Sequence, residues 1–238
     1  MANPLSVTLH ASGEETASGS SAPVDIGSLR RCVELKLEVS DLQGDGAALT
    51  IGIETGPTSS GPWRSLTGFD VSAPQVQERV FGLTDRYVRA TWELEGDAVT
   101  FALAGTAHVL YATPTDVAKH AMRAAAVEEL PWETKLAACL SATDEADGYI
   151  ASSHTMPLVA WGSDLTKHVA CMAALEMLRP RGFGGSDGPD AMVVDAHDKA
   201  IAWLNRVAAG RLQPVGMIDS TPETYEGGSV VVSRPRRR

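Results

Sequence analysis

The chain has 238 residues, of which 44% are hydrophobic and 21% charged, with a formal charge of −10. That length accommodates one large or two small domains with buried cores, and the composition is that of an ordinary globular protein. The acidity disfavours wrapping of nucleic acid, and no apolar run approaches the roughly 18 to 20 residues of a membrane span.

The opening residues, Met-Ala-Asn-Pro-Leu-Ser, carry neither a basic nor an apolar leader region. No secretory signal is therefore expected, and synthesis in a cytoplasm is the default. Three widely spaced cysteines, Cys32, Cys139 and Cys171, argue against a disulfide framework. Cys139 and Cys171 fall in apolar helical sequence and are expected to act as small buried hydrophobes. The charge is uneven. Residues 1–111 hold 7 Lys/Arg against 14 Asp/Glu, and residues 112–238 hold 13 against 16. Four of those 13 are Arg234, Arg236, Arg237 and Arg238.

Residues 6–10 alternate, and residues 11–22 are rich in Gly, Ser and Glu and read as a loop. From Arg31 the pattern has period two. Val33, Leu35, Leu37 and Val39 face one way, and Glu34, Lys36 and Glu38 the other, as in a half-buried strand. Leu49, Ile51 and Ile53 mark a second strand after a Gly-Asp-Gly turn. Residues 63–69, 76–83, 87–94 and 99–103 give further short strands, with 87–94 the longest clean one. Seven or eight strands with regular turn signals predict an antiparallel β-sandwich, with Trp63 and Trp92 in its core.

The pattern switches at Thr113. Thr113 is placed to cap a helix, Pro114 takes its first position, and Asp116 stands three residues after the cap, close to a capping box. The first helix is expected over 114–128. A second starts at Pro131 and Trp132, with Leu136, Leu140, Thr143, Ala146 and Ile150 on one stripe and Asp144, Glu145 and Asp147 mostly off it. Ser163 is expected to cap a third. Its run from Val169 to Leu175 is apolar all round, which predicts burial on every side at the centre of the module. Residues 182–189 read as a flexible loop. In a fourth helix Val194, Ile201, Leu204 and Ala208 share a face opposite Asp195, Asp198, Lys199 and Arg206, and Gly210 serves as C-terminal cap. Residues 214–228 read as irregular, residues 229–233 as a short strand-former, and the chain ends Arg-Pro-Arg-Arg-Arg.

Chemistry-bearing groups are sparse. His168 with Cys171, and Asp195, His197 and Asp198, are conceivable metal or acid–base groups. No CxxC pair, HExxH, GxSxG, P-loop or dinucleotide glycine pattern accompanies them. Structural positions are the expected reading, with no catalytic residue, metal or cofactor. Asp144, Glu145 and Asp147 read as a solvated acidic face. Trp132 and Trp161, near helix starts, are candidates for partner contact, and Trp203 belongs to the last helix. The valine run before the terminal arginines can add to a sheet edge of another chain, with the arginines pairing acidic groups there.

Tyr-Ala-Thr-Pro-Thr-Asp-Val at 111–117 resembles the start of the small helical head–tail connector (adaptor) proteins of tailed bacteriophages. Asp-Glu-Ala-Asp-Gly-Tyr-Ile-Ala at 144–151, Met-Pro-Leu at 156–158 and Trp-Leu-Asn-Arg-Val-Ala-Ala-Gly-Arg-Leu at 203–212 are similar to later landmarks of that family. The front half looks like the small sandwich domains of phage virion proteins, through Arg-Tyr-Val-Arg-Ala-Thr-Trp at 86–92. The sandwich is an addition to the compact family pattern.

The resemblance implies a structural virion protein at the head–tail junction, made in the host cytoplasm. It implies a ring homo-oligomer, usually dodecameric, docked on the portal protein around the DNA channel. The ring would offer a platform to a neck, stopper or tail-completion protein, let genomic DNA pass non-specifically, and involve no membrane. Ser229, Val230, Val231, Val232, Arg234, Arg236, Arg237 and Arg238 would then be the portal-docking tail, and Asp144, Glu145 and Asp147 the channel-facing candidates.

The expected architecture is α+β: an antiparallel β-sandwich over 1–110, a four-helix connector-type bundle over 111–212, and an extended tail over 213–238. Two other readings compete: a carbohydrate- or surface-binding sandwich on a helical spacer, and an enzyme built on the His197/Asp198 cluster.

Overall fold

The computed structural model describes residues 4–181 and 189–220. The front half is β1 Leu5–Glu15, β2 Gly19–Ser20, β3 Val24–Asp25, β4 Arg30–Gln43, β5 Ala48–Gly56, β6 Arg64–Ser65, β7 Phe69–Val71, β8 Gln75–Gly82, β9 Tyr87–Glu95 and β10 Ala98–Val109. They form two antiparallel sheets. One has the order β1-β10-β4-β8, and the other β2-β9-β5-β6, with β3 on β9 and β7 on β5. Among the described residues, ten strands replace the seven or eight expected.

The period-two reading of β4 holds. Val33, Leu35, Leu37 and Val39 are buried while Glu34, Lys36 and Glu38 are exposed. Their partners across the ladder are Ala107, Gly105, Leu103 and Phe101 of β10. With Leu49, Ile51 and Ile53 of β5 and Val88, Ala90 and Trp92 of β9 they make one apolar core shared by both sheets. Each fully buried aliphatic side chain contributes about 1.5–3 kcal/mol relative to exposure, so this interior is the main stabiliser of the front half.

Residues 11–22, expected as a loop, mostly lie in strands. β1 continues to Glu15 by slipping register between Thr8 and His10 and again between His10 and Gly13. The slips break the alternation that a sequence pattern relies on. His10 fixes the bend: its ring stacks on Phe101 at 4.0 Å, and Nε2 lies 3.0 Å from Glu15 Oε1. Gly19 then pairs with Trp92, where an added Cβ would come within 2.7 Å of the indole. β10 likewise runs well past the expected 99–103. At its centre, a Cβ on Gly105 would lie 1.9 Å from the Glu34 carbonyl oxygen, so only glycine fits. Both β4 and β10 exceed β9 in length.

The back half holds α1 Pro114–His120, α2 Ala124–Glu128, α3 Trp132–Ile150, α4 Ser163–Leu178 and α5 Pro189–Ala208, with a 3-10 turn at Arg179–Arg181. The predicted capping box forms at Thr113. Its hydroxyl accepts from the Asp116 N–H, and Asp116 Oδ2 accepts from the Thr113 N–H at 2.9 Å. The single helix expected over 114–128 is two. The Ala121 and Met122 N–H groups both turn back to the Val117 carbonyl, and Arg123 is extended. A continuous helix would set Val117 and Val127 about 80° apart around its axis, and the break lets both enter the same core. The N-cap of α4 is Gly162, not Ser163, because a Cβ there would meet the Val215 carbonyl oxygen at 2.1 Å.

α4 is the centre of the helical half, packing against α1, α3 and α5. Val169, Ala170, Cys171, Met172, Ala173, Ala174 and Leu175 are all buried, as their apolar run predicts. The buried stripe of α5 is Val193, Ala200, Leu204 and Val207, with Val194 and Ile201 half-buried. It lies about one residue off the expected face. Gly210 ends the helix with φ +65°, and the Arg211 N–H returns to the Arg206 carbonyl, a left-handed helix cap. Within 214–228, expected to be irregular, β12 Ile218–Asp219 pairs antiparallel with β11 Leu158–Ala160.

The two halves share buried surface. Cys32 and the half-buried Val80, on the outer face of the first sheet, belong to the same apolar cluster as α3 and α4. Trp132 at the start of α3 lies against Gly82 of β8.

Candidate assembly surface

Tyr111 follows β10 and is fully enclosed. Its N–H donates to Thr143 Oγ1 at 3.2 Å, its hydroxyl donates to Asp147 Oδ1 at 2.5 Å, and its ring meets Trp161 edge-on at 4.9 Å. Thr143 donates in turn to the Cys139 carbonyl one turn earlier, at 2.8 Å. Cys139, Thr143 and Asp147 are spaced by four, so one stripe of α3 grips the exit of the first half. Burial pushes the Tyr111 phenol well above its ordinary range, and the bond to Asp147 pushes the same way.

Asp147 is therefore not channel-facing. Its side chain is sealed inside, whereas Asp144 and Glu145 are exposed as expected. The four-residue step from Thr143 to Asp147 carried the signal, since Thr143 lies on the predicted apolar stripe. What the sequence did not show was the phenol waiting 36 residues away. His108 of β10, beside Glu34, feels the Asp144 charge, but burial dominates and lowers its pKa.

The other predicted groups find local partners. His168 stacks on Trp203 at 4.4 Å, and burial lowers its pKa. His197 Nδ1 lies 3.2 Å from Asp198, its neighbour in sequence, and Lys199 pairs with Asp195 one turn away. Among the described residues no group of three or more His, Cys, Asp or Glu side chains is placed to hold a metal ion. Cys32, Cys139 and Cys171 are buried free thiols, and burial lifts the first two to about 12.

The tryptophans divide differently from expectation. Trp92 is in the core, but Trp63 is half-exposed outside it, where the Arg89 guanidinium covers its ring at 4.2 Å while holding Glu54 at 2.7 Å. Trp161 turns inward on Tyr111, while Trp132 is 48% exposed. The large exposed apolar side chains are Val76, Trp132, Met192, Val215 and Ile218 among the described residues. All but Val76 belong to the helical half.

Val215 precedes the β11–β12 ribbon and Ile218 lies within it. Leu158 on its inner side is buried in the helical core, and Ile218 pairs with Ala160. Asp219 locks the ribbon down by accepting from the Thr155 N–H and lying 2.7 Å from His154 Nδ1. The docking tail, Ser229 to Val232 with Arg234, Arg236, Arg237 and Arg238, lies outside the described residues, as does most of the 182–189 loop.

A model of the family described as Bacteriophage Mu, Gp36 matches residues 111–233. The chain belongs to that bacteriophage family. No curated protein matches it. Among solved structures, it is similar to the PBSX exported protein XepA, at 17% identity over 44% of this chain and 37% of that one, TM-score 0.34. It is similar to a structure of infectious bursal disease virus Gx strain, at 12% over 44% and 32%, TM-score 0.30. It is also similar to the SPBc2 prophage-derived protein YomS, at 17% over 44% and 93%, TM-score 0.23. The chain thus spans about a third of the length of the first two, and TM-scores this low carry no functional argument.

Proposed function

We propose that this Gp36-family protein is a head–tail connector: a structural, non-enzymatic component of the virion that docks as a ring on the portal protein around the DNA channel. The helical half supplies the ring contacts, and the arginine-rich end is directed at acidic groups of the portal. The exposed carboxylates of Asp144 and Glu145 face passing DNA, which a like charge keeps from sticking. The outward surface takes the next neck or tail-completion protein.

The observation that carries this reading is a coincidence of boundaries. The family match covers the helical half, and that half also bears Trp132, Met192, Val215 and Ile218, the exposed apolar side chains that an assembly would bury. Negative-stain imaging of the protein mixed with purified portal rings tests it. An added ring of density on the portal is expected; a protein that stays monomeric and ignores the portal overturns the reading.

A further inference from the structure

The β11–β12 ribbon is an unfinished sheet. A two-stranded ribbon is marginal by itself, and among the described residues no third strand pairs with either of its outer edges. One side is anchored through Leu158 in the core and Asp219 on His154, so the ribbon is held ready rather than free to melt. The other side shows Ile218 at 48% exposure, with Val215 at 81% close by in the chain. An anchored, apolar-faced edge is the kind of template to which an extended segment adds.

The chain carries a matching segment. Ser-Val-Val-Val-Ser at 229–233 is strongly strand-forming, and it closes the region matched by the family model, which ends at residue 233. Eight residues separate it from Ser220, at the end of the ribbon. A hairpin return to β12 would use about 2–5 residues. Eight residues overshoot that, and fully extended they reach about 26–29 Å, roughly the length of a 20-residue helix such as α5. A linker of that reach does not confine the segment to the ribbon of its own copy.

We infer that the segment 229–233 of one copy adds as a third strand to the β11–β12 ribbon of an adjacent copy. This deepens the connector reading and rests on it: the ring is laced by exchanged strands, and the arginines at 234–238 emerge beyond the lacing toward the portal. Val230 and Val232 project to one side of the added strand and Val231 to the other. One of these sets covers Ile218.

Disulfide trapping in the full chain tests the exchange. The three native thiols are buried, so exposed engineered cysteines report selectively. One tagged population carries Ile218→Cys. A second, differently tagged, carries Val230→Cys, Val231→Cys or Val232→Cys. The two are mixed, assembled with portal rings and oxidised. Links between the two tags, with positions 230 and 232 behaving alike and 231 differently, are the expected result. Links confined to one chain in the Ile218→Cys/Val231→Cys and Ile218→Cys/Val230→Cys double variants overturn the exchange. So do equal links at all three positions, or none. A portal-bound ring without links removes the exchange and leaves the connector reading standing, whereas failure to bind portal with links present removes the connector reading alone.

Discussion

The hydroxyl of Tyr111 and the carboxylate of Asp147 lie 2.5 Å apart in a site closed to water. Tyr111 belongs to the crossing from strands to helices, and Asp147 to the last turn of α3. A short bond to a carboxylate in a low-dielectric setting is stronger than a neutral one, and either group left alone there is costly. Tyr111→Phe is therefore expected to destabilise by about 1.5–3 kcal/mol, and Asp147→Ala by at least as much. Urea unfolding with unchanged m-value measures both. Asp144→Asn, on the exposed neighbour, serves as control and should move stability by no more than about 0.5 kcal/mol.

Alkaline pH should weaken the fold. Burial raises Cys32 and Cys139 from 9.0 to about 12, and Tyr111 from 10.0 upward. The folded state thus holds these protons more tightly than the unfolded chain, and stability falls as pH rises. The contribution is complete below about pH 9 and is lost progressively toward 12 and beyond. Denaturant midpoints across that range should fall for the natural protein and fall less steeply for Cys139→Ala.

Glycine replacements in the front half should rank by what the new methyl group meets. Gly105→Ala drives a Cβ into the Glu34 carbonyl between two paired strands, whereas Gly19→Ala presses on the Trp92 ring at a sheet edge. Overpacking of the second kind costs about 1–3 kcal/mol. Gly105→Ala should exceed that and abolish soluble expression or lower the melting temperature further. Equal melting temperatures would contradict the ranking.

Asp219→Ala should loosen the ribbon without unfolding the protein. It removes the contact to His154 and the acceptor for the Thr155 N–H, both local. Amides of residues 158–160 and 218–219 are expected to exchange faster, while those of α4 keep their protection. Loss of protection throughout α4 would show that the ribbon supports the core.

Where burial is periodic, the sequence displayed the fold. The alternation in β4, the capping box at Thr113, the all-round apolar run of α4 and the stop at Gly210 each rest on interactions within a few residues. What escaped was set by distant partners. The slips of β1 are visible only once His10 is seen on Phe101, and the break after α1 only once Val117 and Val127 share a core. Asp147 belonged to an acidic run until Tyr111 enclosed it. Trp63 looked like core until Arg89 covered it on the outside. For His10, Asp147 and Trp63 the deciding partner lies tens of residues away, where no local pattern reaches.

The thiols of Cys32 and Cys139 come from opposite halves of the chain, and α3 roofs the patch of sheet on which Cys32 and Val80 sit. Severing the chain near residue 111 would strip that roof and leave each fragment with a greasy scar. Force applied to the helices would also travel into the strands through a buried apolar weld rather than slacken in a tether. The front half would then move as an outrigger of the back half, its outer loops swinging wherever α3 is steered.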